Sequence, residues 1–278
     1  MLILIIYCTS CTLFDNNKSN FFFLRIDQGT LIDQNGSILS SKITDVWIYA
    51  DDQFLGVYPL PNYIPIPYNK NTVNFSIRAG IKPNGRNETS EEYPFYTPLD
   101  TTIVISNLDT IEIKPRFRYK PNCKFDIIED FESGNIFTVG VGQSTSNPCL
   151  FREALAGINN SSAGVISLNT QLKNCEITHF SSFSNQNNLL GKVYLELDYW
   201  CTEKYFVGTI LNIRNQLVKS YDIVIVENTQ WNRIYIDLTD KISRLDVASY
   251  QVAFSALLDE SRRNEGTIYF DNIRLIHF

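Results

Sequence analysis

Between residues 192 and 200 apolar positions alternate with polar or aromatic ones, Val193, Leu195 and Leu197 interleaved with Tyr194, Glu196, Asp198 and Trp200. Successive side chains of a strand point to opposite sides, so this period of two predicts a strand whose first set lines a core and whose second set stands on the other face. A buried face would not carry those carboxylates without partners, so the second face is expected to meet solvent. Further strands are predicted over 164–168, 205–211, 221–226, 233–238, 250–256 and 266–278, separated by Asn, Gly and Ser turns, with one helical turn at 237–242. In the last strand Ile268 and Phe270 share one parity and Ile273 and Leu275 the other, which a bulge near Asp271 and Asn272 would reconcile.

The same pattern begins earlier, at Phe21 to Ile26, after a polar linker. Residues 45–60 predict a hairpin around Asp51, Asp52 and Gln53. Val73, Phe75, Ile77 and Ala79 mark a third strand, 102–105 another, and Ile111, Ile113, Phe117 and Tyr119 a long final strand with Pro115 at an edge or kink. The chain changes character at Pro121, Asn122 and Cys123. The expected architecture is therefore all-β with two domains: a leader and linker over 1–20, a small N-terminal β-sandwich over 21–120, and an antiparallel jelly-roll β-sandwich over 121–278.

Composition agrees, since 278 residues suffice for two domains and 15 Tyr, 18 Phe and many Thr, Ile and Val suit sheets. With 24 Lys+Arg against 30 Asp+Glu, and no basic cluster able to neutralise several phosphates in a row, nucleic acid is not an expected partner.

The opening Met1 to Cys11 is an apolar run ending in small residues and a cysteine. It resembles a bacterial lipoprotein signal, although no Lys or Arg precedes the run and the run is short. The resemblance implies lipidation at Cys11, behind Ser10, and a membrane-anchored, extracytoplasmic protein of the bacterial envelope, periplasmic or surface-facing. Cys123, Cys149, Cys175 and Cys201 then allow up to two disulfides in any of three connectivities. No Cys-x-x-Cys pair or Cys/His cluster suggests zinc.

Val46 to Asp52 and Phe54 to Pro59 resemble the PEGA-type module, a small β-sandwich of bacterial surface proteins, which implies a structural or adhesive role there. Glu129 to Gly134, Trp231 to Thr239 and Gly266 to Leu275 resemble the galactose-binding-like jelly roll of carbohydrate-binding modules. That resemblance implies a structural calcium held by an early Glu and a late Asp, here Glu132 and Asp271, with backbone oxygens. The simpler reading is that Asp271 and Asn272 cap an irregular strand.

With the alternate residues in the core, Tyr194, Glu196, Asp198, Trp200, Arg233, Tyr235 and Asp237 face outward. Rings beside carboxylates and a guanidinium suit a sugar, which presents apolar C–H faces and many hydroxyls. The ordinary reading is a solvated sandwich face. Catalysis is not expected: Glu196 and Asp198 lie two apart on one strand with no sign of a cleft, and neither His179 nor His277 has a nucleophile motif nearby. The expectation is a non-catalytic lipoprotein binding glycan through its C-terminal jelly roll, with a cell-envelope scaffold or adhesin contacting proteins as the alternative.

Overall fold

The structure, a computed structural model, describes residues 20–105, 110–140, 148–184 and 191–278. The expected lipid acceptor Cys11 lies outside the described residues.

Two antiparallel sheets face each other in the C-terminal half of the chain. One runs, in spatial order, Leu150–Glu153, Ala163–Asn169, Glu265–His277, Val193–Cys201 and Asn228–Asp237, and Lys124–Glu129 also pairs with Glu265–His277. The other runs Phe137–Val139, Asn174–His179, Val247–Leu257, Tyr205–Ile213 and Gln216–Ile225. Successive strands cross between the layers, the mark of a jelly-roll sandwich. Val193, Leu195 and Leu197 enter its core beside Phe254 and Phe270. A bulge lies where the sequence asked for one: Glu196 opposes Arg274 but Asp198 opposes Asp271, with Asn272 at φ 49°. The extra residue restores parity, so Ile268, Phe270, Ile273 and Leu275 are all buried in the same core. Gly164 is required here, because a Cβ would sit 2.4 Å from the ring of the buried Phe131. Cys149 and Cys175 form a disulfide that ties the two layers, while Cys123 and Cys201 remain thiols.

The N-terminal region is also two-layered. Thr110–Glu112, Asn20–Ile26 and Asn62–Tyr68 form one sheet, and the other runs from Gln53–Pro59 at its edge through Asp45–Ala50 to Thr72–Ile81, with which Glu91–Glu92 and Leu99–Val104 also pair. The expected hairpin is present, with Asp51 and Asp52 at φ 47° and 65°. Two successive left-handed residues match the right-handed twist of the flanking strands, and Asp tolerates that conformation. The single long strand expected over 111–119 is broken instead. Pro115 has no N–H for a ladder, and the chain changes sheets there: Thr110–Glu112 pairs with Asn20–Ile26, whereas Arg116–Phe117 pairs with Thr30–Ile32.

Phe22, Leu24, Val46, Ile48, Ile64 and Phe75 fill the N-terminal core, and Tyr194, Tyr235 and Ile276 of the jelly roll belong to that same cluster. The outer face of the jelly-roll sheet therefore contributes to the N-terminal core.

Candidate functional site

The strand parity is as the sequence predicts, but the exposure is not. Tyr194, Glu196 and Asp198 are 0% exposed, Tyr235 1% and Arg233 4%. Of the six expected ligand-binding residues only Trp200 keeps access to solvent, half-buried. The physical reason is a cover: segments from 40–44, 82–97 and 117–125 lie over this face and supply partners for most of its polar groups, Arg233 Nε being buried without one. Glu196 accepts hydrogen bonds from the hydroxyls of Tyr93 and Tyr119 and is paired with Arg233. Asp198 accepts from Ser40 Oγ at 2.7 Å, Arg233 Nη1 at 3.1 Å and Asn272 Nδ2 at 2.9 Å. The Tyr194 hydroxyl donates to Glu91 at 2.9 Å, and the Tyr235 hydroxyl accepts from the Lys42 backbone N–H at 3.0 Å. Asn84 closes the seam, its N–H donating to the Tyr235 carbonyl and its side-chain oxygen accepting from the Asp237 N–H.

Electrostatics mark this layer as a seam rather than a binding surface. Burial by itself would lower the pKa of Arg233, but Glu196 and Asp198 outweigh it and hold the guanidinium well above its ordinary value. Burial, reinforced by Glu196, pushes the Tyr93 and Tyr119 hydroxyls far up, so both stay protonated donors. Glu196 and Asp198 thus have their oxygens occupied by fixed donors in a closed interior, an arrangement without room for a sugar or for glycosidic general acid–base chemistry.

Beyond the cover, the outer face of the same sheet carries rings. Trp200 stands opposite Tyr269, their centroids 5.3 Å apart, and Trp231, on the strand beyond that of Trp200, has its ring 6.4 Å from that of Tyr269. All three are half-buried. The transverse row continues through Val165, paired with Tyr269, to Phe151, paired with Val165 and 53% exposed. Trp200 and Tyr269 meet at 73° and Trp231 and Tyr269 at 59°, so the rings form a stepped shelf rather than one plane. The shelf crosses five strands, roughly 19 Å at the usual strand spacing. Tyr269 and Phe151 went unnoticed in the sequence because each takes its meaning from a cross-strand neighbour.

Glu132 and Asp271 do approach a common segment. Glu132 accepts from the N–H and hydroxyl of Ser162, at 2.6 and 3.3 Å. Asp271 accepts from Ser161 Oγ at 2.8 Å, the Ile158 N–H at 3.2 Å and the Asn272 N–H at 2.7 Å. Calcium asks for six to eight oxygens. Here the carboxylate oxygens already face N–H and O–H donors, and the nearby carbonyls of Phe131 and Glu132 accept from the Arg152 guanidinium, which also reaches Ser162 Oγ at 2.8 Å. With their oxygens committed to these donors, the residues as arranged do not fit a calcium ion. Arg152 clips the same strands together. EDTA is accordingly expected to leave the thermal midpoint unchanged, while Arg152→Met lowers stability by about 0.5–1.5 kcal/mol through the hydrogen bonds it removes; a midpoint that falls with EDTA and recovers with calcium would reverse this assignment.

Burial is the largest influence on Asp271, outweighing its hydrogen bonds, and raises its pKa to about 6. A folded-state value above the unfolded one means that the folded protein binds the proton more tightly. Stability from this group is thus present at low pH and declines as pH rises from about 4 through 6. Asp271→Asn is expected to flatten the stability–pH curve over that window in urea titrations; an unchanged slope would show that Asp271 is not the group responsible.

No known family model matches the chain, and no curated protein does. Among solved structures, one from a study of promiscuous carbohydrate-binding modules of the β-sandwich superfamily is 14% identical, with 83% of this chain and 84% of that one covered and a TM-score of 0.38. A xylan-binding domain of carbohydrate-binding module family 22 is 11% identical over 56% of this chain and 96% of its own, with a TM-score of 0.37. A family 11 module from Clostridium thermocellum, in complex with a mixed-linked β-1,3-1,4 tetrasaccharide, is 14% identical over 55% and 94%, also at 0.37. Likeness at these scores carries no weight for what this chain binds.

Proposed function

We propose that the protein is a non-catalytic carbohydrate-binding protein whose ligand lies across the stepped shelf of Trp200, Tyr269 and Trp231, with Phe151 at its far edge. The observation that carries this reading is the row of half-open rings on an otherwise covered sheet face. An aromatic ring offers a flat apolar surface to the C–H face of a sugar, and a row of them can seat consecutive units of a chain. The fully occupied hydrogen bonds of Glu196 and Asp198 support a role without catalysis.

The same reading includes an extracytoplasmic protein tethered through Cys11. Its support is the lipoprotein-like leader and the Cys149–Cys175 disulfide, a bond that persists in oxidising compartments. A glycan array with the full chain tests the ligand class: retention on a defined glycan, reduced by Trp200→Ala and by Tyr269→Ala, is the expected result. A uniformly blank array would favour the envelope-scaffold reading, in which the shelf contacts protein. For the anchor, palmitate labelling that disappears in Cys11→Ala is expected, and labelling that persists would reject it.

A further inference from the structure

We propose that Lys114, Arg116, Arg118 and Lys120 form a second binding strip, for a linear anionic polysaccharide. On a chain of net charge −6, residues 113–125 hold five cations and no carboxylate. The cations are separated in sequence by Pro115, Phe117 and Tyr119, and the backbone sorts them. Arg116 and Phe117 pair with Thr30 and Leu31, the Arg118 carbonyl accepts from the Thr97 N–H at 2.8 Å, and the Lys120 N–H donates to the Phe95 carbonyl at 2.8 Å. In this extended stretch Pro115 and Phe117 are buried while Lys114, Arg116 and Arg118 are exposed and Lys120 half-exposed. Alternate residues of an extended chain recur every 6–7 Å or so, which sets the charges of Arg116, Arg118 and Lys120 along roughly 13 Å, with Lys114 just before the break at Pro115.

The strip lacks internal counter-charge. Lys114 pairs with Glu112 at 3.0 Å, but both side chains are well exposed and such a pair is weak. Arg116 and Arg118 have no ion pair among the described residues. Like charges held in a row repel each other, and an anionic chain lying along them would relieve that repulsion and release counterions. The chemistry selects among polyanions. Phe117 is fully buried and the Tyr119 hydroxyl is bound to Glu196, so the strip offers no open ring of its own on which nucleobases could stack. No exposed apolar side chain alternates with the cations, as insertion into a lipid interface would need. A polymer carrying carboxylate or sulfate groups needs neither.

The strip shares no residue with the aromatic shelf and does not depend on it. Polygalacturonate serves as the probe in affinity electrophoresis of the full chain at 50 mM salt. Retention is expected, weakened about tenfold or more at 200 mM salt, and lost to the same degree in Arg116→Glu/Arg118→Glu. Arg116→Gln/Arg118→Gln, a milder change, should lose some of it, and Arg86→Glu/Arg214→Glu, an equal charge change at other exposed sites, should lose little. Trp200→Ala should retain polygalacturonate fully, which separates failure of this strip from failure of the shelf. No retention of the wild type, equal loss in the Arg86/Arg214 control, or tighter binding of oligo-dT or of phosphatidylglycerol vesicles would overturn the proposal.

Discussion

Arg233→Met is expected to lower folding stability by about 3–5 kcal/mol, read as a shift of the urea unfolding midpoint. Arg233 is 4% exposed and is the cation paired with both Glu196 and Asp198, each 0% exposed. Methionine occupies much of the same volume but leaves two carboxylates in a closed interior with only neutral donors. Arg233→Lys should rescue poorly, because one ammonium cannot reproduce the planar fork that reaches both acids. A triple change that also makes Glu196→Gln and Asp198→Asn should recover part of the loss, since no carboxylate is then left unpaired, while Arg274 beside Tyr119 loses the attraction of Glu196. The wild type should unfold in a single transition by fluorescence and circular dichroism, because Tyr194, Tyr235 and Ile276 belong to the N-terminal core as well as to jelly-roll strands. A loss below 1 kcal/mol or so, or two separate transitions, would show that the seam is wet and the halves are independent.

The second large effect concerns binding. Truncating a central aromatic anchor typically removes 2 kcal/mol or more of binding free energy, which is about thirtyfold in Kd. Trp200→Ala is expected to reach that size on whichever glycan the array identifies, and Tyr269→Ala to match it, because Tyr269 touches both tryptophans. Phe151→Ala should cost less, as an exposed ring at the rim. Trp200→Phe should keep some of the affinity by retaining a smaller ring face. Binding unchanged in both Trp200→Ala and Tyr269→Ala, with the fold intact by circular dichroism, would remove the shelf from consideration.

The two sets of residues differ in how far the chain announces them. The run from Val193 to Trp200 displays its strand, its inward face and its outward face, because alternation of Cβ direction is a property of the local backbone. The bulge at Asp271 and Asn272 was legible for the same reason, as a break in parity. Asn174–His179 also alternates, with Cys175 and Ile177 inward, but its outward Glu176 and Thr178 are themselves nearly buried and its apolar signal is short. The cations at 114–120 went unread as a cluster because apolar residues separate them in the sequence, and only extended pairing brings them to one side.

What the sequence by itself determined is the all-β class, most strand positions and which residues share a face, since each depends on spacing within a few residues. Only the tertiary structure decided which of those faces meets water. Tyr93 and Tyr119 lie far from Glu196 in sequence, and no local pattern records that they settle upon it. Desolvation is set by what packs on top, so the same Tyr194, Glu196 and Arg233 that suit a sugar chemically became an internal seam, and Trp200 alone of that set was left at an open edge.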